Sequence, residues 1–134
     1  MRAICGTVAA LMAALGCSVS VAWALKDERM NAQLLKLDPQ TRLEQTCGVE
    51  VMDRINRDSH SYKADRVVAY TFEAPVVEKR SIDAPGAAFR SHGKWYRLSF
   101  RCVTGPKRLD AHSLEYDIGD EIPQSLWKRY DLYD

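Results

Sequence analysis

Three histidines are the first side chains to consider for chemistry, because imidazole titrates near neutral pH and binds metals. They are His60, His92 and His112. None stands at a spacing from another His or a Cys that is typical of a metal site. Ser, His and Asp are all present, but no G-x-S-x-G turn occurs that would expose a serine nucleophile. We therefore expect surface histidines, no catalytic residue, no metal and no other cofactor.

Arginines around a tryptophan form a better candidate for binding. Trp95, Arg97 and Arg101 alternate along one predicted strand, so they share one face, and Arg90 projects from the neighbouring strand. Guanidinium groups beside an aromatic ring can bind a carboxylate or a sugar phosphate. A solvated sheet face whose arginines form ordinary ion pairs explains the same pattern. The carboxylates available for such pairs are Glu73, Glu78 and Glu115.

The first 24 residues have the pattern of a secretory signal peptide. Arg2 is followed by a run without charge from Ala3 to Val21, and Ala22-Trp23-Ala24 resembles a signal-peptidase site. We expect cleavage after Ala24 and a periplasmic protein of one small domain, residues 25–134. An uncleaved anchor, or lipidation of Cys17 after Gly16, remains an alternative. No later segment is apolar enough for a transmembrane span.

Two cysteines remain once the signal is removed, Cys47 and Cys102. An even number in an exported chain suggests one disulfide, since the periplasm keeps paired thiols oxidised. Two buried thiols are the alternative. A disulfide here would close a loop of about 55 residues and contribute about 4 kcal/mol by the chain-entropy model.

A strong helix start identifies the main helix. Asp38 suits an N-cap and Pro39 suits the first helical position. Apolar side chains then recur every fourth residue, which predicts one buried stripe and an end near residues 56–59. The stripe consists of Leu43, Cys47, Val51 and Ile55. Before this helix, Lys26 to Leu37 predicts a short amphipathic helix that packs on the domain.

The remainder of the chain is typical of strands. We predict strands over 66–73, over 76–82 (a second strand or an edge), and over 113–119. Asp83 to Gly86 is expected to be a turn, and Ala87–Ser91 and Lys94–Val103 to form a hairpin around His92-Gly93. Pro123 is expected to open a last short helix, in which Trp127 and Tyr130 are packing residues.

The long strand alternates cleanly, which suggests one core face and one partly wet face. The core face would carry Tyr96, Leu98, Phe100 and Cys102. Both cysteines then lie in one apolar layer. The predicted fold is α+β: one main amphipathic helix packed on an antiparallel sheet of four to five strands, with short terminal helices.

Four segments of this chain resemble the domain of unknown function 930, a family of exported proteins. The segments span residues 34–47, 64–69, 86–99 and 116–123, with Trp127 after the last. The resemblance implies a small envelope domain of Gram-negative bacteria, sometimes joined to a membrane anchor by a Pro-rich linker that this chain lacks. It implies no activity, ligand or catalytic residue.

Charge and composition narrow the function classes. The chain has 19 Lys and Arg against 18 Asp and Glu, and removal of Arg2 with the signal leaves 18 of each, well interspersed. Such a surface argues against a nucleic-acid partner.

We expect a non-enzymatic binding or interaction module that contacts an envelope protein or an anionic ligand. A small envelope hydrolase acting on cell-wall or glycan material is the alternative. A cleft that gathers at least two of the histidines and the carboxylates of residues 117–121 would favour it.

Overall fold

The computed structural model describes residues 28–134; the predicted signal peptide with its predicted cleavage site, and Cys17, lie outside them. The elements are α1 (28–34), α2 (Pro39–Asp58), β1 (Ala64–Val68), β2 (Val76–Val77), β3 (Ser81–Ser91), β4 (Lys94–Thr104), β5 (Ala111–Glu121) and α3 (Gln124–Trp127), followed by a 3₁₀ turn (Lys128–Tyr130). The α+β class is confirmed: α2 packs on a five-stranded antiparallel sheet, and the other helices are short.

Helix α2 begins and ends as its sequence predicts. The Asp38 carboxylate accepts a hydrogen bond from the Thr41 backbone N–H at 3.0 Å, and Pro39 is the first helical residue. The predicted apolar stripe is fully buried against the sheet: Leu43, Cys47, Val51 and Ile55. Because all four side chains leave water together, packing rather than helix propensity stabilises most of this element.

The amphipathic helix predicted over Lys26–Leu37 ends earlier than expected, and polar contacts hold its end. Within the described residues it covers 28–34, and the side chain of Leu35, just beyond it, is 51% exposed. The Arg42 guanidinium donates to the carbonyl oxygens of Leu34, Leu35 and Leu37 at 3.0–3.3 Å. It also donates to Lys107 O at 3.2 Å. Arg42 thus donates to the backbone carbonyls at the end of α1 that have no partner within the helix, and it joins this end to the β4–β5 loop.

Replacing Arg42 with alanine is therefore expected to release α1 without unfolding the sheet. Trypsin should cut after Lys36 faster in the Arg42→Ala variant, while the melting temperature falls only slightly. Arg54→Ala is the control, because Arg54 makes only an exposed pair with Glu50 at 3.5 Å. Equal cleavage rates after Lys36 in the two variants would show that Arg42 does not hold α1.

Antiparallel pairing orders the sheet β1-β3-β4-β5, and β2 pairs with the far end of β3. The predicted hairpin is confirmed: Ser91 pairs with Lys94, and His92 and Gly93 have φ values of 50° and 73°. Two positive φ values describe a type I′ turn, whose twist matches that of the strands. Strand β5 pairs with β4 from Tyr96–Glu121 to Thr104–Ala111, with one irregularity near each end.

Two strand predictions were wrong in part. The strand predicted over 66–73 ends at Val68, and the strand predicted over 76–82 is the two-residue β2. Asp83 to Gly86, predicted as a turn, lies inside β3 at a bulge between Ala84 and Ala87. Pro85 has no N–H to donate, so the ladder is interrupted there. At this bulge the Phe72 N–H donates to Gly86 O at 2.8 Å, which draws residues 69–73 out of the strand.

Glycine is required at the bulge because the backbone of residue 73 comes close. A Cβ built on Gly86 would lie 2.6 Å from both the backbone nitrogen and Cγ of Glu73. The extra residue also keeps Ile82, Ala84, Ala87 and Phe89 on the side that faces α2, all of them buried. The bulge therefore keeps β3 in the core along its whole length.

Apolar clusters lie on both faces of the sheet. The main core lies between the sheet and α2, and it includes Leu98, Phe100 and Cys102 from β4. Cys47 and Cys102 form a disulfide inside this core, as the sequence predicts, and both are fully buried. A second, smaller core lies on the opposite face, under the C-terminal segment. It consists of Ala88, Trp95, Ile122 and Leu132.

Candidate functional site

The C-terminal segment covers one half of the outer sheet face, the face turned away from α2. Trp95 lies there with only 1% of its surface exposed, and its Nε1–H donates to Tyr133 O at 2.8 Å. Trp127 and Tyr130 are packing residues, as expected: the Trp127 Nε1–H donates to Ile122 O at 2.9 Å. The expectation that Trp95 offers an exposed aromatic surface is therefore corrected. Strand alternation assigns the right face, but a distant segment covers it.

Arg90 is engaged within the fold. Its guanidinium donates two hydrogen bonds to the Asp65 carboxylate, at 2.9 and 3.1 Å, and only 16% of the side chain is exposed. It also lies over the Trp95 ring at 6.0 Å from the centroid. The partner Asp65 is none of the carboxylates expected from the sequence. A bidentate pair of this kind fixes the position of β1 against β3.

The Asp65–Arg90 pair makes stability depend on pH at the acid end. Hydrogen bonds from Arg90 lower the pKa of Asp65 below its ordinary value of 3.8. Because the folded state holds the ionised carboxylate more favourably, the pair stabilises the fold at any pH above the unfolded-state pKa of Asp65. This stabilisation is lost as the pH falls through the lower, folded-state pKa. The melting temperature of the unchanged protein should therefore exceed that of Asp65→Asn at about pH 6, and the difference should shrink below about pH 4. A constant difference would contradict this role.

Arg97 stands at the border between the covered and the open half. Its guanidinium carbon lies 3.9 Å from the centroid of the Phe72 ring, which itself contacts Tyr130 edge to face. A cation over an aromatic face contributes about 0.5–1 kcal/mol at an exposed position. Arg97 therefore packs the edge of the C-terminal cover while its charge remains exposed.

Arg101 lies in the open half and lines a shallow depression of about 520 Å³. In the register of the sheet, Arg101 stands between Asp83 on β3 and Glu115 on β5. Ser99 and Asp117, also directly paired, line the same depression. We call the surface made by these five residues the open face. Among the described residues, Arg101 forms no ion pair, so its guanidinium is available to a ligand.

The open face carries more negative than positive charge. It has three carboxylates and one guanidinium, with Arg97 beside it. This composition does not suit a small anion by itself. It suits a ligand or partner that presents cationic groups together with an acceptor for Arg101. Asp83 and Ser99 were not predicted as site residues, although alternation with apolar neighbours places Ser99 on this face of β4. Asp117 was expected only as part of a cleft with the histidines.

The histidines lie apart from this surface. His60 is exposed near the end of α2, and His112 contacts the Asp110 carboxylate at 2.8 Å. His92 and Glu121 line one depression of about 470 Å³, where Glu121 forms an ion pair with Lys94 at 3.5 Å. No group of His, Cys, Asp or Glu suited to a metal occurs within residues 28–134.

Comparison with known proteins places the chain in a family. No curated protein and no solved structure matches it. Over residues 28–134, no helix combines the length and the apolar character that a membrane crossing needs. The family model "Domain of Unknown Function (DUF930)" matches residues 34–132. That match covers more than half of the chain and every strand of the sheet. The chain therefore belongs to the DUF930 family.

Proposed function

We propose that this protein is a non-enzymatic binding module of the cell envelope, and that its open face contacts a partner protein. One observation carries the proposal: Arg101 is exposed and without an ion pair in the described part of the chain, although carboxylates flank it on both neighbouring strands. A guanidinium so placed can donate bidentate hydrogen bonds to a partner's carboxylate. The carboxylates around Arg101 add selectivity for a partner whose contact surface carries positive charge beside that carboxylate.

The shape of the open face favours a protein partner over an isolated small molecule. Its depression is shallow and open, whereas sites for small ligands enclose most of the ligand surface. A mixed set of charges on an open surface gives orientation and specificity to a protein contact. The sequence predicted an anionic ligand or an envelope protein as the partner. We now propose a protein partner that supplies one carboxylate to Arg101 within a larger interface.

The cellular location in this proposal is the periplasm. Its support is the signal-peptide pattern of the first 24 residues, together with the buried disulfide between Cys47 and Cys102. Disulfides persist in oxidising compartments such as the periplasm. The N-terminus of protein recovered from the periplasm tests the location, and it should be Leu25. An acylated Cys17 at the N-terminus would indicate a lipoprotein instead.

Site-specific photo-cross-linking in living cells tests the proposed surface. A photoreactive residue at Ser99, in the open face, should yield a defined cross-linked species. The same residue at Asp53, exposed on α2 on the far side of the sheet, is the matched control and should yield none. Equal cross-linking from both positions, or none from Ser99, would contradict a binding role for the open face.

A small envelope hydrolase is the second candidate, and the depression that His92 and Glu121 share favours it. An imidazole beside a carboxylate can serve in general acid–base catalysis. Cell-wall and glycan fragments incubated with the protein should then be cleaved, and His92→Ala should abolish the cleavage. Gln124→Ala, in the same depression, is the control. Identical product profiles with and without the protein would remove this candidate.

A further inference from the structure

Strand β5 is an edge strand of the sheet. It pairs with β4 on one side, and within residues 28–134 no strand pairs with its other side. The stretch from Ser113 to Ile118 pairs with β4 in unbroken register, and the irregularities fall outside it. The Tyr116 hydroxyl donates to the Asp58 carboxylate at 2.7 Å, which fixes this edge against the end of α2. The stretch from Ser113 to Ile118 is therefore regularly paired and held in place.

Natural sheets usually protect an open edge with charged side chains (lysine above all), proline, bulges or a very short strand. Strand β5 carries carboxylates instead of lysine, and these oppose an acidic strand but attract a basic one. Strand β5 has eleven residues and contains neither lysine nor proline. In this stretch Ser113, Glu115 and Asp117 lie on the outer face of the sheet. The face turned toward α2 carries three partly buried apolar residues. These are Leu114, Tyr116 and Ile118. An added strand would thus meet acidic and apolar positions in strict alternation.

A second copy of this chain does not fit the edge. Strand β5 holds four carboxylates and no lysine or arginine. Pairing two copies along the same stretch would bring Glu115 and Asp117 of one copy against the same carboxylates of the other. Like charges directly opposite each other destabilise a strand pair. The occupant must therefore supply positive charge on the outer side.

We propose that β5 accepts an added β-strand from its partner, a segment in which lysine or arginine alternates with apolar residues. The basic side chains lie opposite Glu115 and Asp117, and the apolar ones extend the cover over Leu114, Tyr116 and Ile118. The backbone groups of β5 supply the hydrogen bonds. This inference rests on the proposed function, since β5 forms one border of the open face, and it adds the mode of binding and the chemistry of the partner.

A designed peptide provides the test. The probe is a capped peptide of alternating valine and lysine, and the protein is purified from cells that express the full chain. Binding is measured by fluorescence anisotropy, and hydrogen exchange reports on the amides of residues 113–118. We expect binding together with slower exchange in this stretch. Two control peptides, one with glutamate in place of lysine and one with every amide N-methylated, should not bind.

Charge reversal on the protein makes the test specific. The double variant Glu115→Lys/Asp117→Lys should bind the lysine peptide about ten-fold or more weakly, and it should gain binding of the glutamate peptide. If that variant does not fold, Glu115→Gln/Asp117→Asn should still weaken the lysine peptide. Failure of the peptide to bind, or binding without slower exchange, would overturn strand addition. Cross-linking from Ser99 would report separately on the proposed function.

Discussion

Replacing Cys47 and Cys102 together with alanine is expected to destabilise the domain more than any surface change. The disulfide joins the middle of α2 to β4 across 55 residues of sequence. Without it, the unfolded chain regains the entropy of a loop of that length, about 4 kcal/mol. For a domain of this size the melting temperature should fall by roughly 15 °C. Calorimetry of the two proteins measures the change.

Two controls separate the cross-link from the packing of the cysteines. The unchanged protein under a strong reductant should approach the stability of the double alanine variant. Cys102→Ser should be at least as unstable as that variant, because it leaves a hydroxyl in a fully buried apolar position. A fall of only a degree or two in the double variant would show that the disulfide contributes little to stability.

The second large effect is expected at Trp95, on the opposite face of the sheet. Its side chain is 1% exposed, and it packs with Ile122 and Leu132. Trp95→Ala should lower the free energy of unfolding by about 3–5 kcal/mol through lost burial and the remaining cavity. The loss should also detach the C-terminal segment, because Tyr133 O loses its donor.

The substitution Trp95→Phe distinguishes the hydrogen bond from the packing. It keeps an aromatic ring in the cluster but removes the donor to Tyr133 O, a loss of about 1 kcal/mol. Urea titration of both variants gives the two free energies of unfolding. If Trp95 were exposed, Trp95→Ala would be nearly as stable as the unchanged protein. Acrylamide would then also quench the fluorescence of Trp95 readily in the unchanged protein.

Local sequence signals predicted the elements whose contacts are local or periodic. The cap at Asp38, the four-residue recurrence from Leu43 to Ile55, and the alternation of β4 each depend on neighbouring residues, and the structure agrees with them. The disulfide was predicted from the even number of cysteines in an exported chain, and two such periodicities placed both cysteines in one apolar layer. The His92-Gly93 turn was predictable because only a few residue types accept positive φ at both positions.

Contacts between distant segments were not predictable in the same way. Trp95 shares its face of β4 with the exposed Arg97 and Arg101, and only the return of the C-terminal segment, with Leu132, buries it. Residues 69–73 have strand propensity, but the bulge at Gly86 ends their pairing. Arg90 forms an ion pair and Arg101 forms none within residues 28–134. This difference depends on which carboxylates the register of the sheet places beside each arginine, and composition does not reveal it.

A comparison of Arg90→Ala with Arg101→Ala tests the central claim, that the open face binds while the covered half stabilises. Both proteins would carry the photoreactive residue at Ser99, and melting temperature and cross-linking would be measured on each. Arg90→Ala should melt at a lower temperature, because it leaves the Asp65 carboxylate without its partner, yet cross-link normally below that temperature. Arg101→Ala should melt as the unchanged protein does and lose most of the cross-linked product. Normal cross-linking in Arg101→Ala, or equal loss in both variants, would contradict the account.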